Sequence, residues 1–222
     1  MDIERRFVVA EAEDDLILED RANGQTAIVG YAAVYNRLSV DLGGFREEIL
    51  PGAFDKVLNR QRGKADVLAL VNHDSGQILG RTSSGTLELS STEKGLRYVV
   101  TPPDTQIGRD TVSLLRRGDL RSSSFAFTVS KAGESFRTSE DGRTIRQIRE
   151  VSGLYDVSVV TTPAYPDSSA AVSLRSCDCE VARRSYEAWL AEQQQPEQAA
   201  ARSVMSAVAA SVASLLRLKL HG

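Results

Sequence analysis

The chain has 222 residues, 41% of them hydrophobic, which is enough for one domain with an appendage or for two small domains around a real core. Its 27 lysines and arginines against 30 aspartates and glutamates leave a net charge of -3, so there is no global basic field and nucleic acid is not the expected partner. The opening Met1-Asp2-Ile3-Glu4-Arg5-Arg6 leads into a short apolar stretch broken by Glu11, which fits neither a secretory signal nor a membrane span, and a cytosolic setting is expected.

In chain order, eight segments read as strands, being short and rich in Val, Ile, Tyr and Thr. They are Arg6 to Ala10, Thr26 to Tyr35, Asp66 to Val71, Thr86 to Leu89, Leu96 to Thr101, Ser124 to Val129, Thr144 to Arg149 and Tyr155 to Thr161. Asn23-Gly24, Ser84-Gly85, Lys94-Gly95 and Asp141-Gly142 supply residues that tolerate positive φ, so several neighbours should form antiparallel hairpins. Eight short strands at meander-like spacing suggest a barrel or a sandwich. Two helices interrupt them. Pro51-Gly52-Ala53-Phe54 opens one that runs to about Arg60, with Phe54, Val57 and Leu58 on an apolar stripe. The other runs from about Ile107 to Arg117, with Val112 and Leu115 inward and Gly118 as its stop.

Beyond about Arg175 the character changes. Cys177 and Cys179 are one residue apart, unsuited to a disulfide staple and too few for a four-ligand zinc site, and read as spectators. Glu180 to Glu192 looks helical, Gln193 to Gln198 reads as a linker, and Ala199 to Leu220 forms a second helix. Val204, Val208, Val212, Leu215 and Leu216 fall on one face of it. The run is too short for a membrane span and ends in Arg217 and Lys219, so it reads as an amphipathic docking or self-association helix.

Chemistry narrows on a scarcity. The chain has two histidines, and His221 is next to last, where chains fray. His73, in Val71-Asn72-His73-Asp74, is therefore the candidate general base near neutral pH. A serine-rich turn, Arg121-Ser122-Ser123-Ser124, enters the apolar strand Phe125-Ala126-Phe127, which would mount Ser124 as a nucleophile. There is no Gly-x-Ser-x-Gly elbow, no His-Glu-x-x-His helix and no phosphate-cradling glycine loop, and no metal or other cofactor is expected.

Four segments together carry a resemblance. Pro51-Gly52-Ala53-Phe54, Val71-Asn72-His73-Asp74, Arg117-Gly118-Asp119-Leu120 through Phe127, and Leu154-Tyr155-Asp156-Val157-Ser158-Val159-Val160-Thr161-Thr162-Pro163-Ala164-Tyr165-Pro166 occur in an order and spacing that resemble the prohead (capsid maturation) protease family of tailed bacteriophages. The resemblance spans about Arg5 to Leu174. It implies a serine endopeptidase with a fold similar to the herpesvirus assembly proteases: a β-rich α+β domain, a compact antiparallel or mixed β-barrel of about seven to eight strands ringed by a few helices. It also implies limited proteolysis inside the immature capsid in the host cytoplasm, on scaffold protein or a scaffold-like extension of the major capsid protein, with self-cleavage. Residues 1–175 would be the protease domain and 176–222 a linker and helical tail, removed by self-cleavage, used for recruitment, or serving as a dimerisation element.

Carried over by residue, His73 matches the family's base and Ser124 its nucleophile, whereas Ser122 and Ser123 do not match. Ala126 stands where the family usually has glycine. Asp156 matches an acidic position and is the first choice to orient His73, with Glu150 as runner-up; a turn at Ser152-Gly153 would decide which reaches it. Asp74 is a third candidate, read instead as facing away or capping a turn. The segment Thr161 to Ala164 would supply the oxyanion amides by analogy. Two other functions stay open on the sequence: a noncatalytic capsid-assembly factor that binds scaffold, and a small-molecule esterase using the same three residues.

Overall fold

The computed structural model describes residues 3–9, 16–22, 24–61, 66–161 and 180–193. The first strands are β1 (Glu4–Val9), β2 (Leu16–Asp20), β3 (Thr26–Val34) and β4 (Phe45–Ile49), followed by helix α1 (Asp55–Gln61). Then come β5 (Leu68–Val71), β6 (Asp74–Arg81), β7 (Leu87–Ser91), β8 (Gly95–Val100) and helix α2 (Gln106–Arg117). The body ends with β9 (Ser122–Val129), β10 (Glu134–Thr138), β11 (Thr144–Ile148) and β12 (Val151–Val160).

These strands pair as three sheets, ordered β1-β9-β12-β5-β6, β2-β3-β8-β7 and β10-β11-β4. Most pairs are antiparallel, and β12 with β5 and β11 with β4 are parallel. The β-rich α+β class holds. No ladder among the described residues joins the sheets into one ring, so the expected barrel of seven to eight strands does not emerge from the pairing. Four strands, β2, β4, β6 and β10, are additions to the sequence reading.

Alternation along β9 divides its side chains between two environments. Phe125 and Phe127 point into the core, where their rings stack 4.6 Å apart, and Phe54 meets Phe125 edge-on at 5.6 Å. Ile28, Tyr98 and Val100 from the four-stranded sheet and Val157 and Val159 from β12 fill the same core. Ser123 shares this inward face, and its buried hydroxyl is satisfied by the Tyr98 hydroxyl at 2.8 Å. Burial pushes the Tyr98 hydroxyl far above its ordinary titration range against the weaker pull of Ser123. The opposite face of β9 carries Ser122, Ser124 and Ala126.

The three-stranded sheet is tied to β1 by buried charges. Arg146 contacts Glu4 at 2.8 Å, Glu47 at 2.6 Å and Glu134 at 2.6 Å, and Arg6 contacts Glu4 at 2.7 Å and Glu47 at 2.8 Å. Burial works against the charge on Arg6 and Arg146, and the attraction of Glu47 and Glu4 overcomes it, so both guanidiniums hold their protons more tightly than exposed arginines. Burial likewise opposes the Glu47 charge, and Arg6 and Arg146 nonetheless hold its carboxyl below the usual carboxylate range.

Local geometry corrects several expectations. Pro51–Phe54 is a turn, because Gly52 sits at φ +81°, and α1 starts only at Asp55. Gly95 does not serve a positive-φ turn: a Cβ there would lie 2.0 Å from the Ala33 carbonyl oxygen, so the residue allows close strand approach. The serines 122–124 are not a turn but the start of β9 itself, and Ser152-Gly153 lies inside β12, marked by a register shift. In α2, the half-buried Leu115 and Ile107 pack on the core, Val112 is half-buried as well, and Gly118 ends the helix in the left-handed region as expected.

The chain divides into two units, Met1–Arg183 and Arg184–Gly222. Residues 180–193 are helical, as expected, and Tyr186 and Trp189 stack with centroids 6.2 Å apart. Gln193, expected to open the linker, is still helical; Cys177, Cys179, His221, the rest of the linker and the last apolar helix lie outside the described residues, as does the motif beyond Thr161. Among the described residues no helix is long and apolar enough to cross a membrane.

Candidate active site

His73 sits on a two-residue hairpin turn. Val71 of β5 pairs with Asp74 of β6, leaving Asn72 at φ 51° and His73 at φ 59° between them. Two consecutive left-handed residues match the twist of the flanking strands, and Asn and His tolerate this region better than most side chains. The turn is fastened to the neighbouring strand: Asn72 N–H donates to Val159 O at 2.9 Å, and Asn72 Oδ1 accepts from Thr161 N–H at 3.0 Å. The imidazole is thereby fixed over the outer face of the five-stranded sheet.

Two central strands of that sheet bring the other groups to it. Ser158 of β12 is the register partner of Ser124 on β9, and Asp156 is the partner of Ala126. Asp156 and Ser158 are two residues apart in one strand and share a face, the same face as Ser124. Asp156 Oδ1 lies 2.6 Å from His73 Nδ1, and Ser124 Oγ lies 2.6 Å from His73 Nε2. Ser124 is 2% exposed and Asp156 7%, so the pair of contacts is shielded from bulk water. An ionised carboxylate can only accept, which assigns the proton to Nδ1 and leaves the Nε2 lone pair facing the serine hydroxyl.

Ser124 Oγ also lies 2.8 Å from the Arg6 carbonyl oxygen of β1. The hydroxyl has one proton and two acceptors within reach, so the imidazole and the β1 backbone compete for it. The chemistry this arrangement permits is addition of a serine oxygen to a carbonyl carbon while a neutral imidazole takes the proton and a carboxylate steadies the resulting imidazolium.

The remaining sequence candidates lie elsewhere. Glu150 pairs with Lys56 at 2.6 Å on the surface and does not reach His73. Asp74 accepts from Gly76 N–H at 2.8 Å and from Gln77 Nε2 at 2.9 Å, the turn-capping role expected of it. Of the proposed oxyanion segment only Thr161 is described. Among the described residues there is no group of three or more His, Cys, Asp and Glu side chains that could hold a metal ion.

Three contributors escaped the sequence reading: Ser158, the Arg6 carbonyl and Asn72. Alternation from Asp156 would have found Ser158. Asn72-His73 between Leu68-Ala69-Leu70-Val71 and Gln77-Ile78-Leu79 carries a hairpin signal through its asparagine. Nothing in the sequence marks the Arg6 carbonyl, which depends on the pairing of strands more than a hundred residues apart.

Among curated proteins, none matches the chain. A solved structure of the bacteriophage T4 capsid assembly protease, gp21, is similar over 73% of this chain and 100% of its own, at 11% identity and a TM-score of 0.44. Residues 14–182 match the model of the caudovirus prohead serine protease family, and with three-quarters of its length so matched the chain belongs to that family.

Proposed function

We propose that Ser124 is the nucleophile, His73 the general base and Asp156 the orienting carboxylate of an endopeptidase. Its substrate is scaffold protein or a scaffold-like extension of the major capsid protein, cut inside the immature capsid, and the chain also cuts itself. The observation that carries the reading is His73 held between Ser124 and Asp156, with a 2.6 Å contact on each ring nitrogen.

The steps follow from these positions. The Ser124 proton passes to His73 Nε2 as Oγ bonds to the scissile carbonyl carbon, and Asp156 stabilises the imidazolium. Collapse of the tetrahedral species breaks the C–N bond, and Nε2 returns the proton to the leaving amine. Water, deprotonated by the same nitrogen, then releases the acyl group and restores the serine. Residues 1–175 form the protease domain in this reading, and 176–222 a linker and helical tail that self-cleavage removes.

The test is co-expression of the full chain with a capsid precursor, followed by mass spectrometry of new termini. Wild type should generate termini on the precursor and within its own residues 176–222, and Ser124→Ala should generate none while remaining folded. Undiminished processing by Ser124→Ala would overturn the assignment.

A further inference from the structure

Ser158 lies at the centre of the site without a part in the steps above. It is 1% exposed, and β12 is flanked by β9 on one side and β5 on the other, so its Cα is held from both edges. Its Oγ is 2.8 Å from Asp156 Oδ1 and 3.3 Å from His73 Nδ1. A buried hydroxyl needs an acceptor. Since Nδ1 carries its proton toward Asp156, the acceptor available to Ser158 among these groups is the carboxylate oxygen. Oδ1 therefore receives two donors, the imidazole N–H and the Ser158 O–H.

We infer that Ser158 is a positioning residue of the proteolytic site: its hydroxyl clamps Asp156 Oδ1 in the plane of the His73 ring and so keeps Nε2 aimed at Ser124. This rests on the assignment of Ser124, His73 and Asp156 proposed above. The geometry separates the role from simple packing. A carboxylate held by one donor can turn about its terminal torsion, which is broad and soft. A second donor on the same oxygen, from a residue two positions along the same strand, removes that freedom. Ser158 is also the register partner of Ser124 on β9, which places it beside both partners of the imidazole.

Inactivation of the full chain by a fluorophosphonate probe tests this, with the maximal rate and the half-saturating concentration measured separately. Hydrogen bonds to charged groups are strong enough that Ser158→Ala should slow the maximal rate by about 10-fold to 100-fold, with half-saturation unchanged. Ser158→Thr, which keeps the hydroxyl, should recover most of the rate, and Ser158→Val, nearly the same shape without it, should stay slow. If Ala and Val variants react at the wild-type rate, or if Thr is as slow as Val, the inference is overturned. If Ser158→Ala does not fold, the Thr and Val pair decides. Wild type and Ser124→Ala serve as the independent arm: an unreactive wild type, or an equally reactive Ser124→Ala, would sink the underlying assignment instead.

Discussion

Two buried polar clusters meet at Arg6 of β1, and their chemistry differs. Around Arg146, two guanidiniums and three carboxylates meet at 2.6 to 2.8 Å with permanent charges of both signs. Around His73, contacts of 2.6 to 2.8 Å join the imidazole to the Asp156 carboxylate and the Ser124 hydroxyl, and the carboxylate to the Ser158 hydroxyl. The first cluster holds its charges by mutual attraction; in the second, the proposed mechanism has the imidazole gain and lose a proton in each reaction cycle. Arg6 belongs to both. Its side chain enters the charged network while its carbonyl touches Ser124, so the strand that anchors one sheet to another also contacts the proposed nucleophile.

If that division is real, changes in one cluster should be separable from changes in the other. The largest effect belongs to the proton-moving cluster: Ser124→Ala or His73→Ala should lower cleavage of a capsid precursor by at least about 10³-fold. Ser124→Ala should move thermal unfolding little, because it leaves no buried charge unpaired, whereas His73→Ala takes the imidazole N–H from the Asp156 carboxylate and should lower the midpoint as well.

In the charged cluster the expected loss is of stability. Arg146→Ala takes the guanidinium from Glu134 and leaves Glu4 and Glu47 to share Arg6, and should cost about 3 to 5 kcal/mol in urea unfolding. The same cluster should fail in acid. Glu47 ordinarily titrates at 4.5, and its folded value is lowered, so its contribution is complete above that pH. It is lost as pH falls from there through the depressed folded value. Unfolding midpoints recorded as a function of pH should therefore drop below that value, and Glu47→Gln should flatten the drop.

Asn72→Ala stands between the two regions. It removes the acceptor for Thr161 and puts a less tolerant residue at positive φ, so a cost of about 1 to 2 kcal/mol is expected together with slower cleavage. Asn72→Gly, which keeps the backbone freedom, should recover part of the stability but not the tie to Thr161. The smallest effect is assigned to Glu150→Gln. Its pair with Lys56 is 51% and 39% exposed, and such pairs contribute at most about 1 kcal/mol. Cleavage should be unchanged, whereas a large loss would reinstate Glu150 as the partner of His73.

The sequence made His73, Ser124 and Asp156 legible for different reasons. His73 stood out through scarcity, Ser124 through its place ahead of an apolar strand, and Asp156 only through the family's motif. What resisted reading was whatever charge or glycine disguised. β4 runs Phe45-Arg46-Glu47-Glu48-Ile49, and its glutamates look solvated until Arg6, Arg146 and Arg137 are brought to them from distant strands. β6 begins at Asp74 and contains Gly76 and Gly80, residues that usually mark turns. The reading of serines 122–124 as a turn failed similarly. Their polarity suggested a loop, but Ser123 is satisfied inside the core by Tyr98 and Ser124 by His73 and Arg6. Long-range partners decide these cases, and local pattern does not contain them.

The most direct test of the central claim is the site of covalent modification by a fluorophosphonate, mapped by tandem mass spectrometry on the intact chain. The adduct should fall on Ser124 alone, not on Ser122 or Ser123, and should vanish in His73→Ala. An adduct on another serine, or undiminished labelling of Ser124 without His73, would contradict the account.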